Sequence, residues 1–256
     1  MQQTADPVLV YYLYHSGFAV VTRNYILIFD YYRDCPSGCS TTADQILAAA
    51  RGRHVVVFVS HAHHDHYAPV IWDWRDQCAQ ISYVVSLDVP VPDGVADVTT
   101  LRANHHCLLG SLSITTYAST DAGVAFWVEA DGYRIFHAGD LNWWHWEGEP
   151  DEDNKAMAEQ YRQEIDTLPK EVDIAFVPVD PRLLQAYALG LTYFMSRVDA
   201  RLVFPMHFAN DYSIFEWLKR DLTQAAESRI AEITPSPLPF YLDVSRTPSS
   251  IERSVL

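Results

Sequence analysis

Between positions 60 and 66 the chain reads Ser60-His61-Ala62-His63-His64-Asp65-His66, so four imidazoles and one carboxylate fall within six consecutive residues. The run before it, Val55-Val56-Val57-Phe58-Val59, is apolar and β-branched and reads as a buried strand. Pro69 follows Ala68, and proline favours a first helical turn. The cluster therefore belongs to a loop at which a core strand ends, and the fold must deliver that strand end to a site.

His61 and His63 are two residues apart in an extended end of chain, so their side chains can turn to one side. Asp65 and His66 follow the bend and can face a neighbouring point. This arrangement suits two adjacent metal positions, one held by His61 and His63, the other by Asp65 and His66. Neutral imidazole and carboxylate favour zinc, manganese or iron over calcium or magnesium.

The bulk properties narrow the partners. A net charge of −15 with no basic cluster argues against nucleic acid and anionic membrane surfaces, which need Lys and Arg to neutralise phosphate. No run approaches a membrane span, and no basic stretch followed by a long apolar core marks a signal peptide. A cytoplasmic protein acting on a small molecule is the expectation, with Cys35, Cys39, Cys78 and Cys107 as thiols, although Cys35 and Cys39 flank a turn and could hold a metal or oxidise. Across 256 residues no linker divides the chain, so a single domain is expected over 1–256.

Taken in order, residues 8–14, 18–23 and 25–30 read as strands separated by turns at His15-Ser16-Gly17 and Arg23-Asn24. Asp30 closes the third, where it can orient a ligand imidazole or cap a turn. A helix over 41–50 with Thr42 as its cap precedes strand 55–60. Then come a helix over 69–79, strands over 81–86 and 98–102, and a loop at Asn104-His105-His106-Cys107. Strands over 113–118, 124–130 and 133–137 follow, the last hairpin turning at Asp131-Gly132 and leading into His137-Ala138-Gly139-Asp140. The second half alternates a helix over 151–168, a strand over 172–179, a helix over 182–198 and a strand over 201–206 ending at His207. A helix over 213–228, with Ser213 and Glu216 as a capping box, and a strand over 240–243 complete the pattern. This order fits an α/β protein of two packed sheets with helices outside.

Residues 61–66 match in full the His-x-His-x-Asp-His motif, and here the chain resembles the metallo-β-lactamase superfamily. The resemblance implies an αββα four-layer sandwich with metals at one edge between the sheets. Gly139-Asp140 resembles the superfamily's Gly-Asp, which implies that Asp140 bridges two metals. His207 matches the last metal histidine, and Pro205-Met206-His207-Phe208 resembles the ascorbate-6-phosphate lactonase-like branch. The pattern departs at its middle histidine, because the corresponding loop reads Ser119-Thr120-Asp121-Ala122-Gly123. Asp121 can supply a carboxylate there, or His105 or His106 can fold back. His64 and His137 are expected to point away.

The expected ligands are thus His61, His63, Asp65, His66, Asp121, Asp140 and His207 around two divalent ions, zinc first, with manganese or iron as alternatives. The expected reaction is hydrolysis of an ester, lactone or phosphoester by a metal-bridged hydroxide, with Asp65 holding that hydroxide and shuttling its proton. The loop Asn142-Trp143-Trp144-His145-Trp146 can wall a substrate pocket, with Asn142, Trp143 and His145 as candidate contacts. Two other readings are an iron redox enzyme and a non-catalytic metal-binding protein. His63 stands where the diiron oxygen reductases of the superfamily carry glutamate, which favours hydrolysis.

Overall fold

The computed structural model describes residues 7–35, 42–50, 52–235 and 238–242. Its elements begin with β1 (Val8–Tyr14), β2 (Gly17–Val21), β3 (Tyr25–Phe29), α1 (Ala43–Ala48) and β4 (His54–Val59). A 3₁₀ helix (Pro69–Asp76) precedes β5 (Ile81–Ser86), β6 (Val98–Leu101), β7 (His106–Leu109), β8 (Leu112–Ala118), β9 (Val124–Ala130) and β10 (Tyr133–His137). There follow α2 (Asp151–Thr167), β11 (Glu171–Pro178), a second 3₁₀ helix (Pro181–Ala186), α3 (Leu189–Arg197) and β12 (Asp199–Met206). The last are α4 (Ile214–Asp221), α5 (Gln224–Glu227) and β13 (Phe240–Leu242).

The strands form two sheets, ordered β13-β1-β2-β3-β4-β5-β6 and β12-β11-β10-β9-β8-β7. Alternation along β3 and β4 shows why both faces of the first sheet are covered. Leu27, Phe29, Val56 and Phe58 enter the core between the sheets, where Phe126, Phe176 and Phe204 of the second sheet meet them. Ile26, Ile28, Val55, Val57 and Val59 point the other way, onto Ile46 and Leu47 of α1 and Ile71, Trp72 and Trp74 of the first 3₁₀ helix. Tyr161 and Ile165 of α2 and Leu191 and Phe194 of α3 add the outer layer of the second sheet. Each fully buried large apolar side chain contributes roughly 1.5–3 kcal/mol. The result is the expected αββα sandwich.

Strand direction places the site. β3 and β4 are parallel neighbours, and so are β10, β11 and β12. Their carboxyl ends therefore open on common edges, carrying Asp30, Ser60, Asp140, Asp180 and His207 just beyond the strands.

Five local expectations need correction. The stretch 104–107 is not all loop, because His106 and Cys107 begin β7, an edge strand paired with β8. The helix expected over 182–198 is broken: Leu184 leaves helical geometry (φ 52°, ψ −117°), and α3 starts only at Leu189. Ser213 does not cap α4, since it already has helical dihedrals and its hydroxyl donates to Asp211 instead. The helix ends at Asp221, and Thr223 caps the short α5 separately. Cys35 is disulfide-bonded rather than a thiol, while Cys78 and Cys107 are free. Cys39, the turn at 36–38 and the segment beyond 242 lie outside the described residues.

Candidate metal centre

Asp140 stands between imidazoles delivered by three separate segments. Its Oδ2 lies 3.2 Å from His61 Nε2, and its Oδ1 lies 3.0 Å from His66 Nε2 and 3.4 Å from His207 Nε2. The ligand atoms fall into two groups, His61-His63-Asp140 and His15-Asp65-His66-His207, each with members within 4.8 Å of one another. One carboxylate oxygen thus faces each group.

Hydrogen bonds on the far side of the rings set which nitrogen is free. Ser60 Oγ donates to Asp30 Oδ2 at 2.6 Å, so it accepts from His61 Nδ1 at 2.8 Å. His66 Nδ1 donates to Asp30 Oδ2 at 2.7 Å, and His207 Nδ1 donates to Asp180 Oδ2 at 2.9 Å. In the neutral rings, all three Nε2 lone pairs then point inward. His61 Nε2, His66 Nε2 and Asp140 Oδ1 are buried without a hydrogen-bond partner. Acceptors facing acceptors in a buried space are stable only with a cation between them, so these residues fit divalent metals.

In the metal-free chain a proton serves that purpose. Burial acts to lower His66, but Asp140 and Asp30 on either side push it up to about 10. Burial acts to raise Asp140, but His66, His61 and His207 hold it well below the usual carboxylate range. Asp65 behaves likewise: His15 and His66 outweigh burial and keep it ionised.

His15 differs from the other rings in its group. Its Nδ1 accepts the Ala209 N–H at 3.2 Å, and burial lowers its pKa to about 4, so the ring is neutral. The proton is therefore on Nε2, which lies 3.5 Å from Asp65 Oδ2. A nitrogen carrying a proton is no ligand, so the His15 N–H faces Asp65 without a hydrogen bond closing between them. Sequence reading missed this residue, which looked like part of a turn. Its backbone is left-handed (φ 56°), a conformation that no pattern in the sequence announces. Asp30 (φ 44°) and His207 (φ 68°) share that backbone region. Asp180, which caps the second 3₁₀ helix and orients His207, was missed as well.

Two glycines let the loops close on Ser60 and His61. A Cβ at Gly123 (φ 69°) would lie 1.9 Å from Ser60 O, and one at Gly139 (φ 53°) 2.7 Å from Ser60 Cβ. Thr120 then ties loop to loop, its hydroxyl donating to Asn142 O at 2.6 Å. Trp144 Nε1 donates to Asp140 O at 2.9 Å and fixes the strand end that carries the bridging carboxylate.

The sequence model of the beta-lactamase superfamily domain matches residues 9–207. The chain belongs to the metallo-β-lactamase superfamily. Among solved structures it is similar to a metallo hydrolase, Igni18, from Ignicoccus hospitalis, at 16% identity and a TM-score of 0.66, covering 93% of this chain and 99% of that one. The metallo-β-lactamase fold protein YhfI from Bacillus subtilis is similar at 12% identity and a TM-score of 0.58, covering 89% and 97%. CmlA, a diiron β-hydroxylase from Streptomyces venezuelae, is similar at 11% identity and a TM-score of 0.53, covering 78% of this chain and 44% of that one. No curated protein matches the chain. At these identities the structural likeness speaks to the fold alone.

The metal edge opens into a cavity of about 510 Å³. His63, Asp65, Asp140 and His207 line it, with Trp144, Trp146, Met157 and Arg182 as further walls. Asp121 is exposed and lines this cavity, but its carboxylate joins neither group of ligand atoms. His64 lines the cavity at its exposed rim and also joins neither group. His105 and His106 do not fold back: His105 bonds Arg102 and Ala103, and His106 bonds Ser113 across the β7–β8 pair. His137 is a buried structural histidine, donating to Ser16 O and accepting from Gly139 N–H.

The expected substrate contacts lie away from the metal cavity. Asn142, Trp143 and His145 do not line the metal cavity. Side chains of this extended loop alternate, so Trp144 and Trp146 face the cavity while Trp143 and His145 face a second one against α2. Asn142 is buried against Gly190, where a Cβ would come within 2.0 Å of its Oδ1.

Proposed function

We propose that this chain is a metal-dependent hydrolase of small esters, lactones or phosphoesters. The observation that carries the reading is the pair of Asp140 oxygens, one turned to His61 and the other to His66 and His207. His61, His63 and Asp140 would hold one ion, and Asp65, His66, Asp140 and His207 the other. Asp121, on the same cavity wall, is proposed as a further oxygen donor to the first ion. Imidazole with carboxylate suits zinc best, with manganese or iron next. Bound, the ions supply a water of lowered pKa and polarise the substrate oxygen.

The residues do the rest. Asp65, kept ionised, accepts the proton of the attacking water and returns it to the leaving oxygen once the scissile bond has broken. The His15 Nε2–H, 3.5 Å from Asp65 Oδ2, favours the ionised carboxylate for that exchange. Trp144 and Trp146 cover one side and reduce access of bulk water. Pro205-Met206-His207-Phe208 supports a place in the ascorbate-6-phosphate lactonase-like branch. The net charge of −15 supports a small-molecule substrate rather than nucleic acid or a membrane, and no helix among the described residues is long and apolar enough to cross one. A single domain over 1–256 working in the cytoplasm completes the reading.

The experiment is hydrolysis of a panel of lactones, phosphodiesters and carboxylic esters by zinc- or manganese-loaded protein. Chelation should abolish activity, metal should restore it, and Asp140→Ala should remove it at least a thousandfold. A protein with both positions filled and no hydrolysis of any panel member contradicts the proposal. An iron-loaded, coloured protein would favour the redox reading instead.

A further inference from the structure

We infer that the substrate carries an anionic group, a carboxylate or a phosphate, which binds the outer edge of the Arg182 guanidinium while the bond to be cleaved lies at Asp140. The inference deepens the hydrolase reading and rests on it for the cleavage step; the anion site stands on its own geometry.

Arg182 is the sole Lys or Arg among the residues lining the metal cavity, whose other charged walls are Asp65, Asp121 and Asp140. A cation in an acidic cavity needs a reason, and one part of it is Asp180. The Arg182 Nε donates to Asp180 Oδ1 at 3.0 Å and Oδ2 at 2.9 Å, and Nη2 donates to Oδ2 as well. Those bonds use one edge of the fork. Nη1 and the remaining Nη2–H have no partner among the described residues, which leaves a second edge with the spacing that matches a carboxylate or phosphate.

The free edge is pre-positioned. Asp180 is buried, caps its own 3₁₀ helix by accepting the Arg182 N–H at 2.8 Å, and is locked from the far side by His207. The guanidinium carbon sits 5.7 Å from the Trp146 ring centroid, and Trp146 stacks on Trp144 at 6.2 Å and 6°. Ordering an arginine normally costs side-chain entropy on binding, and here the fold has already restricted it. The aromatic pair runs from Arg182 toward His207, since Trp144 meets that ring edge-on at 5.3 Å. A substrate with its anion on Arg182 and a flat or apolar body on the tryptophans would reach the metal edge with its ester.

Calorimetry with benzoate, phenyl phosphate and the neutral benzamide tests this on the metal-loaded and the metal-free chain. In Arg182→Gln, binding of at least one anion should weaken about tenfold or more while benzamide binding stays the same. Which anion responds tells carboxylate from phosphate. Arg182→Lys, which keeps charge but not the paired N–H edge, should recover only part of the loss. Metal content equal to that of the parent chain shows that the variants are folded. Anions that bind Arg182→Gln as tightly as the parent, or that do not bind the parent, would overturn the inference and leave Arg182 as a counter-charge for Asp180 alone. Arg182-dependent anion binding by a chain that hydrolyses nothing would sink the hydrolase reading and spare this one.

Discussion

Asp30 accepts the Nδ1 proton of His66 at 2.7 Å, and neither side chain has any exposed surface. The same carboxylate accepts the Ser60 N–H at 2.7 Å and the Ser60 hydroxyl at 2.6 Å. One buried residue thus orients two metal-facing rings, His66 directly and His61 through Ser60.

Asp30→Asn should show this most simply. An amide must turn its NH₂ toward one of these donors, so either His66 loses its Nδ1 acceptor or Ser60 loses one. Metal affinity should fall about 10–100-fold, the usual cost of losing an outer hydrogen-bond partner of a ligand. Stability should fall by roughly 1–3 kcal/mol from the unsatisfied buried donor. Metal titration and denaturant unfolding of the variant measure both, and an unchanged affinity would contradict the assigned role.

The pH dependence follows from His66, whose value rises from 6.5 to about 10 in the metal-free chain. Because the folded value is the higher one, its stabilisation is complete below about pH 6.5 and is lost as pH rises through about 10. Metal must displace that proton. Apparent affinity should therefore climb with pH between neutrality and about 10, by up to tenfold per unit, and one proton should be released per chain at this position. Calorimetry in buffers of different ionisation enthalpy counts the protons. An affinity flat across this range would show that His66 is already neutral.

His15 is expected to remain the Nε2–H tautomer with and without metal. Nitrogen-15 spectra of histidine-labelled protein report this directly, the His15 signals being assigned by their loss in His15→Ala. That variant should keep the metal content of the parent chain while losing about 10–100-fold in hydrolysis, because Asp65 loses the N–H that faces it. Loss of a metal equivalent in His15→Ala would make the residue a ligand instead.

Much of the framework is legible in the sequence because it rests on local pattern. The apolar runs at 8–14, 25–29 and 55–59 report strands, Thr42 and Gln45 form the cap of α1, and Asp131-Gly132 makes its turn. Convergence is harder to read. His15 and Asp180 lie in a turn and a cap, and only the register of strands distant in sequence brings them to His207 and Asp65. In the tryptophan loop the side facing the metals depends on how α2 and α3 pack beneath it, with Gly190 admitting Asn142 and Arg162 stacked at 4.2 Å on Trp143. The break near Leu184 has no counterpart in residue propensity; its neighbours Leu183 and Ala186 pack on Trp144, a contact visible only in three dimensions.

The most direct measurement is an anomalous-scattering map of crystals grown with zinc or manganese, read together with metal content per chain. Two peaks about 3.5–4 Å apart, flanking the Asp140 carboxylate with His61 and His63 on one side and Asp65, His66 and His207 on the other, are the predicted result. A map with no peak at Asp140, from protein that carries metal elsewhere, would contradict it.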